Sequence, residues 1–146
     1  MEILNKQARH NYFVEDTYEC GISLRGTEIK SVRAGKCNLR DSYGIIRNNE
    51  IYILNMYISH YKEASIYNID EVRTRKLLLH KKEIKKIRDD IEKKGLTLIP
   101  LKMYFKKDKI KVELGVCRGK KSYDKREVMK QKDEQRKISK ALKGRY

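Results

Sequence analysis

The sequence has no tryptophan, two phenylalanines and a single proline, Pro100, in 146 residues. It also lacks any apolar run of the roughly 20 residues that a membrane-spanning helix needs. The longest central stretch free of formal charge, Ile51 to Tyr61, falls well short and is interrupted by Asn55, Ser59 and His60. The N-terminal MEILNKQARHNY carries charge and amides where a secretion signal would be apolar, so the expectation is a cytoplasmic protein with no membrane partner. Cys20, Cys37 and Cys117 are odd in number, widely spaced and without a C-x-x-C pair. That spacing gives neither a disulfide framework nor a zinc ribbon, and it leaves three reduced, packed thiols.

Catalytic constellations are missing too. GISLRGT has two glycines at the separation of a phosphate-binding loop, but Thr27 stands where the essential lysine belongs, and the glycines of GVCRGKKS are one residue too close. His10, His60 and His80 are far apart, with no partner at nucleophile or metal spacing. Asp89 and Asp90 sit side by side on one helical face and do not converge as an acid and base pair would. The chain therefore reads as a non-enzyme with no metal and no cofactor. A ribonuclease stays open only through residues that the fold brings together.

What is abundant is positive charge. Lys plus Arg number 36 against 20 Asp plus Glu, which leaves a net +16 and a pI near 9.8. Self-repulsion on that scale costs stability, and it is retained where phosphates are neutralised and counterions released. Ten tyrosines in so basic a chain add rings that stack on unpaired bases next to phosphate contacts, though strand packing accounts for any single one. Together these features point to RNA.

Periodicity gives the fold class. SYGIIR and EIYILNMYI flank Asn48 and Asn49, residues that tolerate the left-handed backbone of a tight hairpin. Leu101, Met103 and Phe105 alternate with polar residues, and after Lys107 and Asp108 so do Ile110, Val112, Leu114 and Val116, a second hairpin with one buried face. Leu77, Ile84, Ile87 and Ile91 at helical spacing, with Glu83 early, Lys93 and Lys94 late and Gly95 as the stop, predict a helix that His80 could cap. A shorter helix follows Gly26, with Thr27 as its N-cap and Gly35 at its end. Several short strands and two helices predict a mainly β protein, a small, partly closed β-barrel over residues 1–119.

From residue 120 the composition changes. The segment 120–146 holds 11 Lys or Arg and 4 Asp or Glu, which is +7 of the +16 and leaves +9 on the body. Its stripe of Val128, Gln131, Gln135, Ile138 and Leu142 is too polar to dock stably. It reads as a basic C-terminal tail, disordered alone and conditionally helical on a partner. In the body, Arg73, Arg75 and Lys76 of RTRKLLL precede an apolar anchor and a helix start, an arrangement that holds cations against an RNA backbone.

The strings KQARHNYFVEDTYECGISLRGTEIKSVRAGKCNLRDSY, RTRKLLLHKKEI and KGLTLIPLKMYFKKDKIKVELGVCRGKKSYDKRE resemble the small protein B family, the tmRNA-binding proteins of bacterial trans-translation. The resemblance implies an oligonucleotide-binding-type barrel of about six strands that grips the tRNA-like domain of tmRNA (SsrA RNA) and delivers it to stalled ribosomes. It implies RNA contacts at Asn5, Glu19 and Leu78, supported by Arg73, Arg75 and Lys76. It further implies a ribosome-engaging tail that enters the decoding centre and the empty mRNA channel. That tail runs from Gly119 through Lys120, Lys121, Asp124, Lys125, Arg126, Lys130, Lys132 and Arg136. Elongation factor Tu would join the delivery complex, and the protein would act as a monomer. The alternative class is a ribosomal or assembly protein held permanently on rRNA.

Overall fold

A computed structural model of the chain describes residues 2–60 and 70–120. Strand β1 (Glu2–Leu4) leads into a short helix α1 (Lys6–Asn11) and the long strand β2 (Tyr12–Ile22). Helix α2 (Gly26–Arg33) follows, then β3 (Cys37–Asn38), the hairpin of β4 (Tyr43–Arg47) and β5 (Glu50–Leu54), and β6 (Tyr57–Ile58). The chain continues through β7 (Arg75–Leu78), helix α3 (Lys81–Lys94), β8 (Thr97–Lys106) and β9 (Lys109–Gly119).

Six of these strands close on themselves. β8 pairs with β4, β4 with β5, β5 with β7, β7 with β2, β2 with β9, and β9 returns to β8, every pair antiparallel. Closure removes the open edges along which a flat sheet would aggregate. The seam is weakest between β4 and β8, where the ladder consists of Gly44 opposite Leu98. Only glycine fits there, because a Cβ on residue 44 would lie 2.8 Å from the Cβ of Leu98. β1 extends the barrel beyond β8, and β3 pairs with β6 as a separate flap.

Inside the barrel, Ile51, Ile53, Leu77, Leu98, Met103, Val112, Leu114 and Val116 are buried, with Val32 of α2 and Ile84 and Ile87 of α3 packed into the same core. The Asn48–Asn49 turn has the expected left-handed backbone at both positions, φ 51° and 61°. Helix α3 ends as its sequence predicts, at Gly95 with φ 65° and its N–H on Ile91 O. Cys20 and Cys117 are buried and Cys37 is half-buried, all free, and burial raises their thiols to about 12, 11 and 11 respectively. As packed thiols they are inert at neutral pH.

Four expectations are corrected. Leu77 is a β7 residue, because the backbone stays extended through His80 and α3 starts at Lys81. Thr27 is in the first turn of α2 rather than its cap: Arg25 precedes the helix and gives its N–H to the Glu28 carboxylate at 2.9 Å. A third helix, α1, is present, too short for any periodic stripe and with Ala8 as its buried residue. Leu101 does not share a face with Met103. A bulge between Pro100 and Lys102 makes it an extra residue in β8, and it packs outside the barrel with Ala8, Ile99 and Cys117.

One buried charge cluster ties the helical and strand layers together. The Arg75 side chain is 0% exposed and Glu28 is 3% exposed. Arg75 Nε donates to Glu28 Oε2 at 2.6 Å, its Nη1 to Met56 O, and its Nη2 to Glu71 O at 3.1 Å. Arg73 adds a second guanidinium on the same carboxylate, Nη2 to Oε1 at 2.6 Å and Nε to Oε2 at 3.2 Å. Burial alone would raise the Glu28 carboxyl. The hydrogen bonds from Arg73, the Arg25 N–H and Arg75 outweigh it and hold the group below the usual carboxylate range.

Glu28→Gln leaves Arg75 buried without its counter-charge, a loss of about 3–5 kcal/mol. The expected thermal midpoint falls by more than about 10 °C, as read by calorimetry. Because the folded carboxyl is depressed, its contribution is complete at neutral pH and is lost as pH falls through the lowered folded value. The deficit of the variant should therefore shrink in acid.

Candidate RNA interface

Strand register decides which polar residues meet. Glu19 of β2 lies opposite Glu113 of β9, and β9 in turn aligns Lys111 with Tyr104 of β8. This arrangement brings three strands together around one carboxylate. Tyr104 Oη donates to Glu19 Oε2 at 2.5 Å, and Lys106 Nζ lies 3.2 Å from Oε1. Glu113 is paired separately with Lys102 at 3.4 Å. The hydrogen bond from Tyr104, then that from Lys106, lowers the Glu19 carboxyl, so it is a carboxylate at neutral pH. The Tyr104 hydroxyl is raised, by burial first and by its bond to Glu19 second, and stays a donor.

Leu78 shares this neighbourhood. It pairs with Gly21 across the β2–β7 junction, and 51% of its surface is exposed. Glu19, Gly21, Leu78 and Lys111 line one groove of about 410 Å³, together with His80 and Glu83. An exposed leucine between a fixed carboxylate and Lys111 combines apolar contact, a hydrogen-bond acceptor and a phosphate-neutralising charge. Lys76, two residues before Leu78 on β7, is part-exposed and pairs with Glu50 at 3.5 Å, a weak surface contact that leaves it available for phosphate.

Other expected contacts sit differently. Arg75 is withdrawn from the RNA surface, since its guanidinium is buried on Glu28 and on main-chain carbonyls. Arg73 is one quarter exposed and committed to the same carboxylate. The RTRK run is therefore half a structural bolt, with only Lys76 facing outward as a cation. Asn5 is 8% exposed, and its Nδ2 donates to Pro100 O at 2.8 Å and Leu39 O at 3.2 Å. It lines clefts other than the one shared by Glu19 and Leu78. Gly119 ends β9, and Lys120 donates to Arg9 O while its ammonium lies 4.8 Å from the exposed Phe13 ring. Lys121, Asp124, Lys125, Arg126, Lys130, Lys132 and Arg136 lie outside the described residues.

Tyr104, Lys106, Gly21 and Lys111 are the members of this site that the sequence alone does not select. The alternation of β8 and β9 places Tyr104, Lys106 and Lys111 on outward faces. Their convergence on Glu19 depends on the register with β2.

Comparison with known proteins decides the family. The family model described as SmpB protein matches residues 2–144. The chain belongs to the SmpB family. Among relatives of this family, the SsrA-binding protein of Lacticaseibacillus casei (strain BL23) is 55% identical over 142 residues, 97% of this chain and 90% of the relative. The SsrA-binding protein of Clostridium acetobutylicum is 52% identical over 140 residues, 96% of this chain and 90% of the relative. A solved family structure, described as "tmRNA-SmpB: a journey to the center of the bacterial ribosome", superposes with a TM-score of 0.69 at 48% identity and covers 82% of this chain and 84% of that one.

Tyr104→Phe removes the first-ranked donor to Glu19 while keeping the ring. The Glu19 titration, followed by side-chain carboxyl NMR, should move upward toward the ordinary carboxylate range. An unchanged midpoint would mean that Lys106 alone sets it.

Proposed function

We infer that the chain is a non-catalytic RNA-binding protein of bacterial trans-translation. It binds the tRNA-like domain of tmRNA and delivers it to stalled ribosomes for rescue. The observation that carries this reading is the match over nearly the whole chain to proteins named for binding SsrA RNA. Its work on ribosomes makes it cytoplasmic, and it acts as a monomer with elongation factor Tu in the delivery complex. Among the described residues no helix is long and apolar enough to cross a membrane, and no cluster of three His, Cys, Asp or Glu is arranged to hold a metal.

The body, residues 1–119, grips tmRNA through Glu19, Leu78 and Lys76, with Arg73 and Arg75 acting through the shape of β7 and Asn5 through the shape of the α1 region. An anionic Glu19 repels phosphate, so its place in such a groove makes sense as an acceptor for base donors and a source of specificity. The tail, residues 120–146, carries +7 and becomes ordered where ribosomal RNA neutralises it. In the decoding centre and mRNA channel it competes with mRNA for the same space, which selects stalled ribosomes.

Recovery of tmRNA with the tagged protein, and less than one copy per ribosome, is the expected result. Stoichiometric retention on ribosomes without tmRNA would instead make this a structural rRNA-binding protein. Truncation after Gly119 should keep most of the affinity for the tRNA-like domain, with a steep decline as salt rises. Glu19→Ala should weaken that binding while sparing the weak binding of unrelated duplex RNA.

The tail carries a separate expectation. The free peptide 120–146 should show little helix by circular dichroism. Removing it should leave tmRNA binding intact and abolish peptide tagging on stalled ribosomes. Replacing Asp124, Lys125 and Arg126 together by alanine should imitate the deletion, and changing Lys143 and Arg145 should do less. Normal tagging by the truncated protein would refute channel sensing.

A further inference from the structure

Phe13 is one of two phenylalanines in the chain, and the two are used differently. Phe105 packs against the barrel core, whereas Phe13 is 55% exposed. Its neighbours Tyr12 and Val14 pack against the small core under α1, so alternation along β2 turns Phe13 outward, where a polar side chain is the usual occupant. A single exposed aromatic is ordinary on a protein surface. What sets this one apart is the charge that lies on it.

The Lys120 ammonium stands 4.8 Å from the centre of the Phe13 ring, within the range of a cation–π contact, and it also donates to Arg9 O at 3.0 Å. Arg9 is in the last turn of α1, whose carbonyls have no further helical turn to satisfy them. Ala8 O takes the N–H of Tyr12, and Arg9 O takes Lys120. A cation at that end of a helix also complements its dipole. One side chain thus bridges an aromatic face on β2 and a carbonyl at the end of α1.

The frame around this bridge is fixed. Tyr12 pairs with Gly119 and Phe13 with Arg118 at the end of the β2–β9 ladder. Arg118 is tied back to Glu15 of β2 at 2.9 Å. The ladder stops at Gly119, so Lys120 is the first residue whose course the strands do not dictate. A chain leaving a strand end samples many directions unless a contact holds it. Here the contact comes one residue after the strand.

We propose that Phe13 is a positioning residue for the tail: with the Arg9 carbonyl it captures Lys120 and sets the direction in which residues 121–146 leave the barrel. This role deepens the reading of the tail as the ribosome-engaging segment and rests on it. A segment carrying +7 on a free pivot would meet ribosomal RNA in many orientations. Capturing its first residue narrows that search before the ribosome is reached, which is preorganisation. The role needs no contact between Phe13 and RNA. The rival use of an exposed ring, stacking on an unpaired base, gives the opposite pattern of losses.

The test compares full-length variants in two assays, retention of the tRNA-like domain and peptide tagging on stalled ribosomes. Phe13→Leu keeps the apolar bulk and removes the aromatic face. It should lower the tagging rate about two- to fivefold, the weight of one exposed cation–π contact, and leave retention of the tRNA-like domain unchanged. Phe13→Trp, with its larger face, should tag at least as well as the wild type. Lys120→Met should lower tagging further, because the carbonyl contact is lost too, and adding Phe13→Leu to it should cost nothing more. In the free protein the Lys120 ε-methylene protons should carry an upfield ring-current shift that vanishes in Phe13→Leu, with amide spectra showing that variant folded.

Unchanged tagging by Phe13→Leu, additive losses in the double variant, or no ring shift at Lys120 would each overturn the assignment. So would weaker retention of the tRNA-like domain by Phe13→Leu, which would give the ring to base stacking. Deletion of the tail is scored separately. Normal tagging by the truncated protein counts against the tail reading, whereas the ring shift and the comparison of single and double variants report on the capture of Lys120 itself.

Discussion

A single carboxylate, Glu28, holds three parts of the fold together. It receives Arg75 from the barrel wall, Arg73 from the segment leading into that wall and the N–H of Arg25 at the start of its own helix. Arg75 then reaches on to carbonyls at Met56 and Glu71, which tethers β6 and the far side of the segment before β7. Hydrophobic contacts would let α2 settle at many rotations over the barrel. Hydrogen bonds in a dry site tolerate only one, because any other leaves a charge unpaired at a cost of several kcal/mol.

That pair explains why the basic surplus divides as it does. Some arginines of an RNA-binding chain are spent internally. The remaining surface cations are chiefly lysines, whose flexible stems suit loose phosphate contact more than a fixed fork. Around Glu19 the same economy appears in reverse: a surface carboxylate is held ionised and in place by a tyrosine and a lysine from another strand, so the groove has an acceptor of fixed position.

Local signals carried much of the fold. Asn48–Asn49 announced its hairpin because both positions need a left-handed backbone. The Lys107–Asp108 turn has the same backbone, φ 50° and 65°, with a lysine at its first position, and was legible chiefly through the alternation on both arms. Helix α3 was legible because its stripe, its early glutamate and its terminal glycine agree. Helix α1 was hidden, being six residues with one buried side chain. Non-local facts were hidden for a different reason. RTRK reads as a cationic patch in any local window, and only the approach of Glu28, 47 residues before Arg75, turns two of its members inward. Glu19 was singled out by resemblance, and its partners Tyr104 and Lys106 lie more than 80 residues away, joined to it by strand register.

The bulge at Leu101 has a mechanical meaning beyond its packing. On its C-terminal side β8 points Met103 into the barrel, while Ile99 and Leu101 face the small core under α1. The extra residue is thus a phase shifter that lets one continuous strand serve two interiors. Losing one residue there would not merely leave a hole. With a period of two, every side chain from Thr97 to Pro100 would exchange faces, so Leu98 would leave the barrel and Ile99 would enter it. The strand is in this sense keyed, like a ratchet tooth, and can occupy only one position along its neighbours.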